Sequence, residues 1–344
     1  GVLKEVSAPV NVPYNAFVSS IKIMSNLDIA EKRIPHDGRF NFNFEEGALD
    51  VRVSVIPTTQ GESIVLRLLR HNEKLLTLGE LGMSERQLEI FLRLIHRSSG
   101  IVLVTGPTGS GKTTTLYAAL STLKSVEKNI ITIEDPPEYQ LDFCRQIQVN
   151  PKVNLTFDKG LRSILRHDPD IIMVGEIRDL ETATIAIQAA LTGHLVFSTL
   201  HTNDAASAVT RLVDMGIEPF LIASCLNGAV AQRLVRVLCA KCRKTAQARF
   251  KTSPSPEKEL TFYEAEGCQH CLNTGFAGRI GIFEIMEMNS EIGRLTVSNA
   301  SSDEITGFCR SKGMKFLMDD GWERVLGGTT SPKELMRVLG AADL

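Results

Sequence analysis

Residues 106–113 read Gly106-Pro107-Thr108-Gly109-Ser110-Gly111-Lys112-Thr113, directly after the apolar run Ile101-Val102-Leu103-Val104. A short buried strand, a glycine-rich turn of this length and a helix form a phosphate loop in its proper context. The glycines let successive backbone N–H groups turn inward around a phosphate. Lys112 reaches the β/γ oxygens, Thr113 offers a hydroxyl to Mg²⁺, and the helix N-terminus that continues through Thr114 adds partial positive charge. A turn that merely joins strand to helix is disfavoured by the completeness of the pattern. Residues 106–114 are therefore expected to hold a nucleoside triphosphate, ATP, with Mg²⁺.

The rest of the chain is organised around that unit. From Ser84 to about Leu234, near-continuous apolar strands (Asn129–Ile133, Gln146–Val149, Ile171–Val174, His194–Thr199) alternate with helical patterns over Lys159–Arg166, Leu180–Leu191 and Asp204–Met215. This predicts an α/β fold, a RecA-like P-loop core with a parallel sheet covered on both faces. Before it, Tyr14–Leu27 has helical spacing (Phe17, Ile21, Met24). Three runs of period two follow, over 40–44, 49–55 and 63–68, as in an antiparallel meander. The expected domains are 1–72 (small α/β), 73–83 (linker), 84–236 (ATPase core), 237–283 (a cysteine-bearing insert) and 284–344 (a helical tail with a start at Ser331-Pro332-Lys333-Glu334). With 344 residues, 43% of them hydrophobic, there is enough apolar material for these cores. A net charge of −2 and the lack of a basic–aromatic stripe argue against a nucleic-acid partner. No apolar run is long enough to span a membrane and no secretory signal opens the chain, although Gly1 in place of Met is what a fragment would show.

A P-loop enzyme needs a carboxylate at the C-terminal end of a nearby strand to hold Mg²⁺ or orient water. Glu176, after Ile171-Ile172-Met173-Val174-Gly175, fits; Gly175 stands where Asp is usual, so the two roles are not divided between neighbours. Asp170 precedes the strand and lies roughly 16–20 Å away at ~3.3 Å per residue, so a turn after Pro169 is its expected role. A second cluster, Glu134-Asp135-Pro136-Pro137-Glu138, follows the strand ending at Ile133. Its prolines stop the ladder and hold three carboxylates where open α/β sheets bind ligands, the alternative being a solvated acidic loop. His201 closes a strand that His194 opens, and is the better placed of the two to sense a γ-phosphate. The expected catalytic set is Lys112, Glu138, Glu176 and His201, with Thr113, Glu134, Asp135 and Glu176 around Mg²⁺.

Two C-x-x-C pairs, Cys239/Cys242 and Cys268/Cys271, stand 25 residues apart. Four thiolates so paired suit tetrahedral Zn²⁺ with no open position, hence a structural site. Disulfide pairing is the rival, and it is rare in the reducing compartment where a nucleotide-using chain without a signal belongs. Cys144, Cys225 and Cys309 read as ordinary buried residues.

In order, Gly106–Thr113, Ile133-Glu134-Asp135-Pro136, Leu165–Asp170, Val174–Asp179 and Thr192–Asn203 resemble the motifs of the secretion ATPase superfamily, and most closely its type II secretion and type IV pilus assembly branch. The resemblance runs over nearly the whole chain. It implies a PAS-like N-terminal α/β domain, a homo-hexameric ring and a mechanical stroke. It also implies arginines that reach a subunit's own or its neighbour's nucleotide: Arg52 and Arg67 from the first domain, and Arg162, Arg166 and Arg178 from the core. The bland reading of Arg52 and Arg67 is a solvated strand face. His36 and Pro137 depart from the family's usual residues without removing a charge. The partners implied are an inner-membrane platform protein and a membrane-anchored docking protein. The protein would then be cytoplasmic and peripheral to the inner membrane, with membrane association through partners only. The family's first N-terminal domain, which makes the docking contact, has no counterpart here. Pilus assembly, pilus retraction and nucleic-acid translocation are the competing outputs; retraction motors generally lack the cysteine quartet.

Overall fold

Each alternating run becomes a strand and each 3.6-period run a helix in the computed structural model, which describes residues 5, 13–44, 47–70, 75–250, 254, 257 and 259–340. The chain divides into two compact units, Gly1–Lys74 and Leu75–Leu344.

In the first unit, helix α1 (Tyr14–Met24) covers an antiparallel meander of β1 (His36–Phe44), β2 (Gly47–Thr58) and β3 (Gly61–Arg70). The alternation in β2 puts Val51, Val53 and Val55 inward against Ile21. Of the helical positions expected to be apolar contacts, only Ile21 is buried. Phe17 and Met24 are 46% and 44% exposed, while Val18 and the Lys22 stem take the inner face. Lys22 can be buried because its ammonium meets the Glu62 carboxylate and the Glu31 carbonyl. On the opposite face the register places Arg39 beside Arg52 and Arg52 beside Arg67.

The second unit opens with α2 (Glu85–Ile95), capped by Ser84 with Gln87 returning the bond. Then come β4 (Gly100–Thr105), α3 (Lys112–Leu123), β5 (Ile130–Glu134), β6 (Arg145–Gln148), α4 (Phe157–Ile164), β7 (Ile171–Val174), α5 (Leu180–Leu191), β8 (Leu195–Leu200), α6 (Ala206–Asp214) and α7 (Pro219–Cys225). The long β9 (Leu226–Leu238) follows, then the hairpin β10 (Lys244–Ala248) and β11 (Leu260–Glu264), and β12 (Phe276–Glu287). Helices α8 (Ser290–Val297), α9 (Ser302–Ser311), α10 (Leu317–Leu326) and α11 (Pro332–Leu339) close the chain. Seven strands form one sheet in the order β12-β9-β4-β8-β7-β5-β6, parallel except for β12 against β9. Strands β4, β5, β7 and β8 are buried along their whole length, as a sheet with two covered faces requires. Leu78 and Leu81, in the stretch read as a connector, are also buried in this unit's core. Among the described residues no helix is long and apolar enough to cross a membrane.

Candidate nucleotide site and tetracysteine centre

The parallel register brings the C-terminal ends of β4, β5, β7 and β8 to one edge. The loops leaving that edge line a cleft of about 340 Å³: Thr108–Thr114 from the phosphate loop, Glu134–Pro136 and Glu138 after β5, Gly175 and Glu176 after β7, and His201 after β8. Gly106 and Pro107 form the root of the loop beside it. Asp170 is at the opposite edge, accepting the Asn129 N–H at 2.6 Å, and His194 Nδ1 bonds the Ala189 carbonyl at 2.9 Å. Both are structural.

Helix α3 starts at Gly111, whose φ of +89° favours glycine; it has no side-chain cap and no acidic residue in its first turn. Its first N–H groups thus face the cleft without a protein partner from the cap, an arrangement that receives an anion. Ser110 Oγ is buried and unpartnered among the described residues, a further polar atom suited to a phosphate. Lys112 Nζ folds back onto the Gly106 and Pro107 carbonyls at 2.8 and 3.1 Å. Burial pushes its ammonium pKa down, with Arg233 adding to this and Glu176 opposing it.

Strand β9 explains the loop's rigidity. Ala231 pairs with Thr105, the last residue of β4, so Gln232, Arg233 and Leu234 run on beside the phosphate loop. A Cβ on Gly106 would lie 2.5 Å from the Gln232 carbonyl oxygen, so only glycine fits. Gln232 accepts from Thr115 Oγ1 at 2.7 Å, and Arg233 donates to the Asn203 carbonyl at 3.0 Å, joining this strand to the loop that carries His201. Leu234 and Arg279, from β9 and β12, line the cleft as well. Sequence reading missed Gln232, Arg233 and Arg279, because they belong to strands more than 100 residues beyond the loop.

Glu176 is 16% exposed and held between two side chains: Arg178 donates to Oε1 at 2.5 Å and His201 Nε2 stands 3.4 Å from Oε2. Burial raises its carboxyl pKa, but Arg178 and His201 outweigh that and the net shift is downward. Glu134 is engaged differently. It is buried, its Oε2 accepts from the Tyr117 hydroxyl, and its Oε1 accepts from Thr132 Oγ1 at 2.6 Å and Gln146 Nε2 at 3.1 Å. Asp135 is exposed and Glu138 half-buried. Arg162 sits on the exposed side of α4 and Arg166, also exposed, just past its end, bonding the Arg162 carbonyl at 3.0 Å; neither lines the cleft. Arg52 and Arg67 belong to the first unit.

The tetracysteine centre lies between β9 and β12. Its four Sγ atoms are all within 4.8 Å of one another, with separations of 3.9 Å (Cys239–Cys268), 3.8 Å (Cys242–Cys271) and 3.8 Å (Cys268–Cys271). Four sulfurs each about 2.3 Å from a tetrahedral centre stand about 3.8 Å apart, so the donor set fits zinc. The backbone N–H groups of Cys268 and Gly275 each point at Cys271 Sγ from 3.2 Å. Burial acts to raise that thiol, yet these donors, together with the Cys268 and Cys242 thiols, bring it down to about 6, while burial pushes the neighbouring Cys242 up to about 12. Cys225 and Cys309 are buried free cysteines, and Cys144 is half-buried.

A parallel sheet with an uncapped phosphate-loop helix, facing a carboxylate two strands away, defines a P-loop nucleotide hydrolase. The tetracysteine lobe narrows the class further. The chain belongs to the family described as Type II/IV secretion system protein, which matches residues 1–337. Type II secretion system ATPase E of Vibrio cholerae serotype O1 is 52% identical over 342 residues, 98% of this chain and 68% of that protein. Type II secretion system protein E of Pseudomonas aeruginosa is 50% identical over the same shares. Among solved structures, the pilus retraction motor PilT with bound ADP is similar at a TM-score of 0.64 and 28% identity, over 89% of this chain and 77% of that one. The Legionella pneumophila ATPase DotB shares the fold at a TM-score of 0.64 and 22% identity, over 88% and 76%.

Proposed function

We propose that this protein is an ATP hydrolase that powers type II secretion, working as a ring of identical subunits. The observation that carries the hydrolase reading is Glu176, an ionised carboxylate pinned by Arg178 and His201 across the cleft from an uncapped phosphate-loop helix. The pathway follows from relatives about half identical to this chain, named as type II secretion proteins.

On ATP binding, the α3 N-terminal N–H groups and Lys112 take the β- and γ-phosphates, Lys112 leaving the two carbonyls it rests on. Mg²⁺ would be held by Thr113 with Glu176 and Asp135, and supplies charge neutralisation on the phosphates. Glu176 and Glu138 orient the attacking water, and His201 reports the γ-phosphate to the loop that Arg233 anchors. Glu134, committed to three protein donors, anchors the acidic segment. Arg39, Arg52 and Arg67 stand side by side across the three strands, with Asp50 4.0 Å from Arg52. That concentration of positive charge supports Arg52 and Arg67 as arginines for a subunit's own or a neighbouring nucleotide; for Arg162, Arg166 and Arg178 that role rests on the family resemblance alone. Zinc on the four cysteines is structural. The output is a push on pseudopilin subunits through an inner-membrane platform protein, with the ring on the cytoplasmic side and held there by its partners.

Glu176→Gln keeps the side chain's shape and removes its charge. It should retain ATP binding while slowing turnover about a hundredfold or more. Binding of a fluorescent ATP analogue beside steady-state phosphate release checks this; loss of binding would show that Glu176 serves mainly as a metal ligand.

A further inference from the structure

We infer that Tyr117 is a positioning residue for hydrolysis, its hydroxyl setting where the acidic segment 135–138 stands relative to the phosphate-loop helix; this rests on the ATP-hydrolase reading above. Tyr117 is fully buried on α3, four residues after Thr113 and so one turn along the same face. Its ring lies in a core shared with Leu116, Leu120 and Met173, which a phenylalanine would fill equally well. The hydroxyl is what the packing does not need, and burying one is costly unless it is bonded.

Here it is bonded twice, once to Glu134, from which the acidic segment departs, and once within that segment. It donates to Glu134 Oε2 at the end of β5 and accepts the Glu138 N–H at 3.2 Å. Between β5 and Leu141 the chain forms neither helix nor strand, so point contacts fix it. Tyr117 holds Glu134 and Glu138, both of which line the cleft. Gln146 holds the far end, donating to Glu134 Oε1 and to the Tyr139 carbonyl at 3.0 Å, and accepting the Leu141 N–H at 2.7 Å. One helix thereby carries both Thr113, whose hydroxyl would meet Mg²⁺, and the group that holds Glu138 at the same cleft. Burial, and then the Glu134 charge, push the phenol pKa up, so it remains a donor throughout the working pH range.

The test is steady-state ATP hydrolysis by the assembled protein. Tyr117→Phe should lower kcat about tenfold or more, with KM for ATP within about threefold, since misplacement of a reacting group acts on the chemical step. In a Glu138→Gln background the same change should cost clearly less than in wild type, because part of its effect runs through Glu138. A kcat within twofold of wild type, a fall in thermal stability alone, or a full multiplicative loss on top of Glu138→Gln would each overturn the inference. Should Tyr117→Phe not fold, Gln146→Leu removes the other anchor and must show the same selective loss of kcat; unchanged kcat would overturn the inference equally. Lys112→Ala run in parallel separates the two readings: hydrolysis surviving that change would refute the ATPase site itself.

Discussion

Replacing one zinc ligand, as in Cys268→Ser, should open the lobe between β9 and β12 and leave the nucleotide core folded. Apart from the metal, the lobe is tied down by a few polar contacts, among them Arg243 donating to the Gly328 carbonyl at 2.6 Å and Lys333 pairing with Glu264 at 3.3 Å, and by a small apolar patch. Its hairpin of β10 and β11 is two-stranded, and its main apolar anchors are Phe250 and Phe262, 6% and 4% exposed, packed edge to face at 5.1 Å, with Phe250 also 5.2 Å from Trp322 of α10. At about 1.5–3 kcal/mol per buried side chain, the pair contributes about 3–6 kcal/mol. A structural zinc supplies ~10–16 kcal/mol of apparent binding free energy at neutral pH. The metal therefore dominates, and losing a ligand should free residues 239–275. Strand β12 should stay, because its Phe276–Glu287 stretch pairs with β9 within the main sheet. The assay is limited proteolysis with metal analysis. Wild type should carry about one Zn²⁺ per chain and resist cleavage. Cys268→Ser should lose the metal and be cut between 239 and 275 while nucleotide binding stays near normal. Wild type purified without chelator under reducing conditions, free of zinc and with all four thiols titratable, would refute the reasoning.

Two further outcomes are expected. Arg52→Ala or Arg67→Ala should lower ATPase activity severalfold and flatten its dependence on protein concentration if these side chains act across subunits; unchanged kinetics would return them to a solvated strand face. Glu334 is buried and bonded by Arg236 and Arg337, which outweigh burial and hold its carboxyl at about 2 against an ordinary 4.5. Its contribution, about 3 kcal/mol for a shift of roughly two and a half pH units, is present above pH ~4.5 and lost as pH falls toward ~2. Thermal unfolding between pH 6 and 2.5 should therefore fall less steeply in Glu334→Gln than in wild type; equal slopes would contradict it.

The phosphate loop and the cysteine pairs were legible because each is a local pattern whose chemistry demands fixed spacing. The existence of the parallel strands followed from their apolar runs, though not their order in the sheet, and the placement of Glu176 and His201 followed from where their strands end. What escaped notice is tertiary. Gln232 and Arg233 sit in a 13-residue strand whose polar residues interrupt the apolar run, so periodicity hid both the strand and its contact with Gly106. Tyr117 looks like one more apolar position on α3, and only the fold shows its hydroxyl meeting Glu134 and Glu138. Phe17 and Met24 have the spacing of core residues, but Lys22 took a place on the inner face of α1 once Glu62 lay opposite it.

The central claim is that the cleft around residues 106–114 turns over ATP and that Lys112 supplies the charge there. The most direct measurement is phosphate release by Lys112→Ala against wild type at saturating ATP and Mg²⁺. Among the groups lining the cleft, Lys112 is the cation anchored on the phosphate loop itself, and its loss should reduce turnover by at least about a hundredfold, the scale of removing one strong electrostatic stabiliser. Turnover within a few-fold of wild type, from a folded variant, would contradict the account.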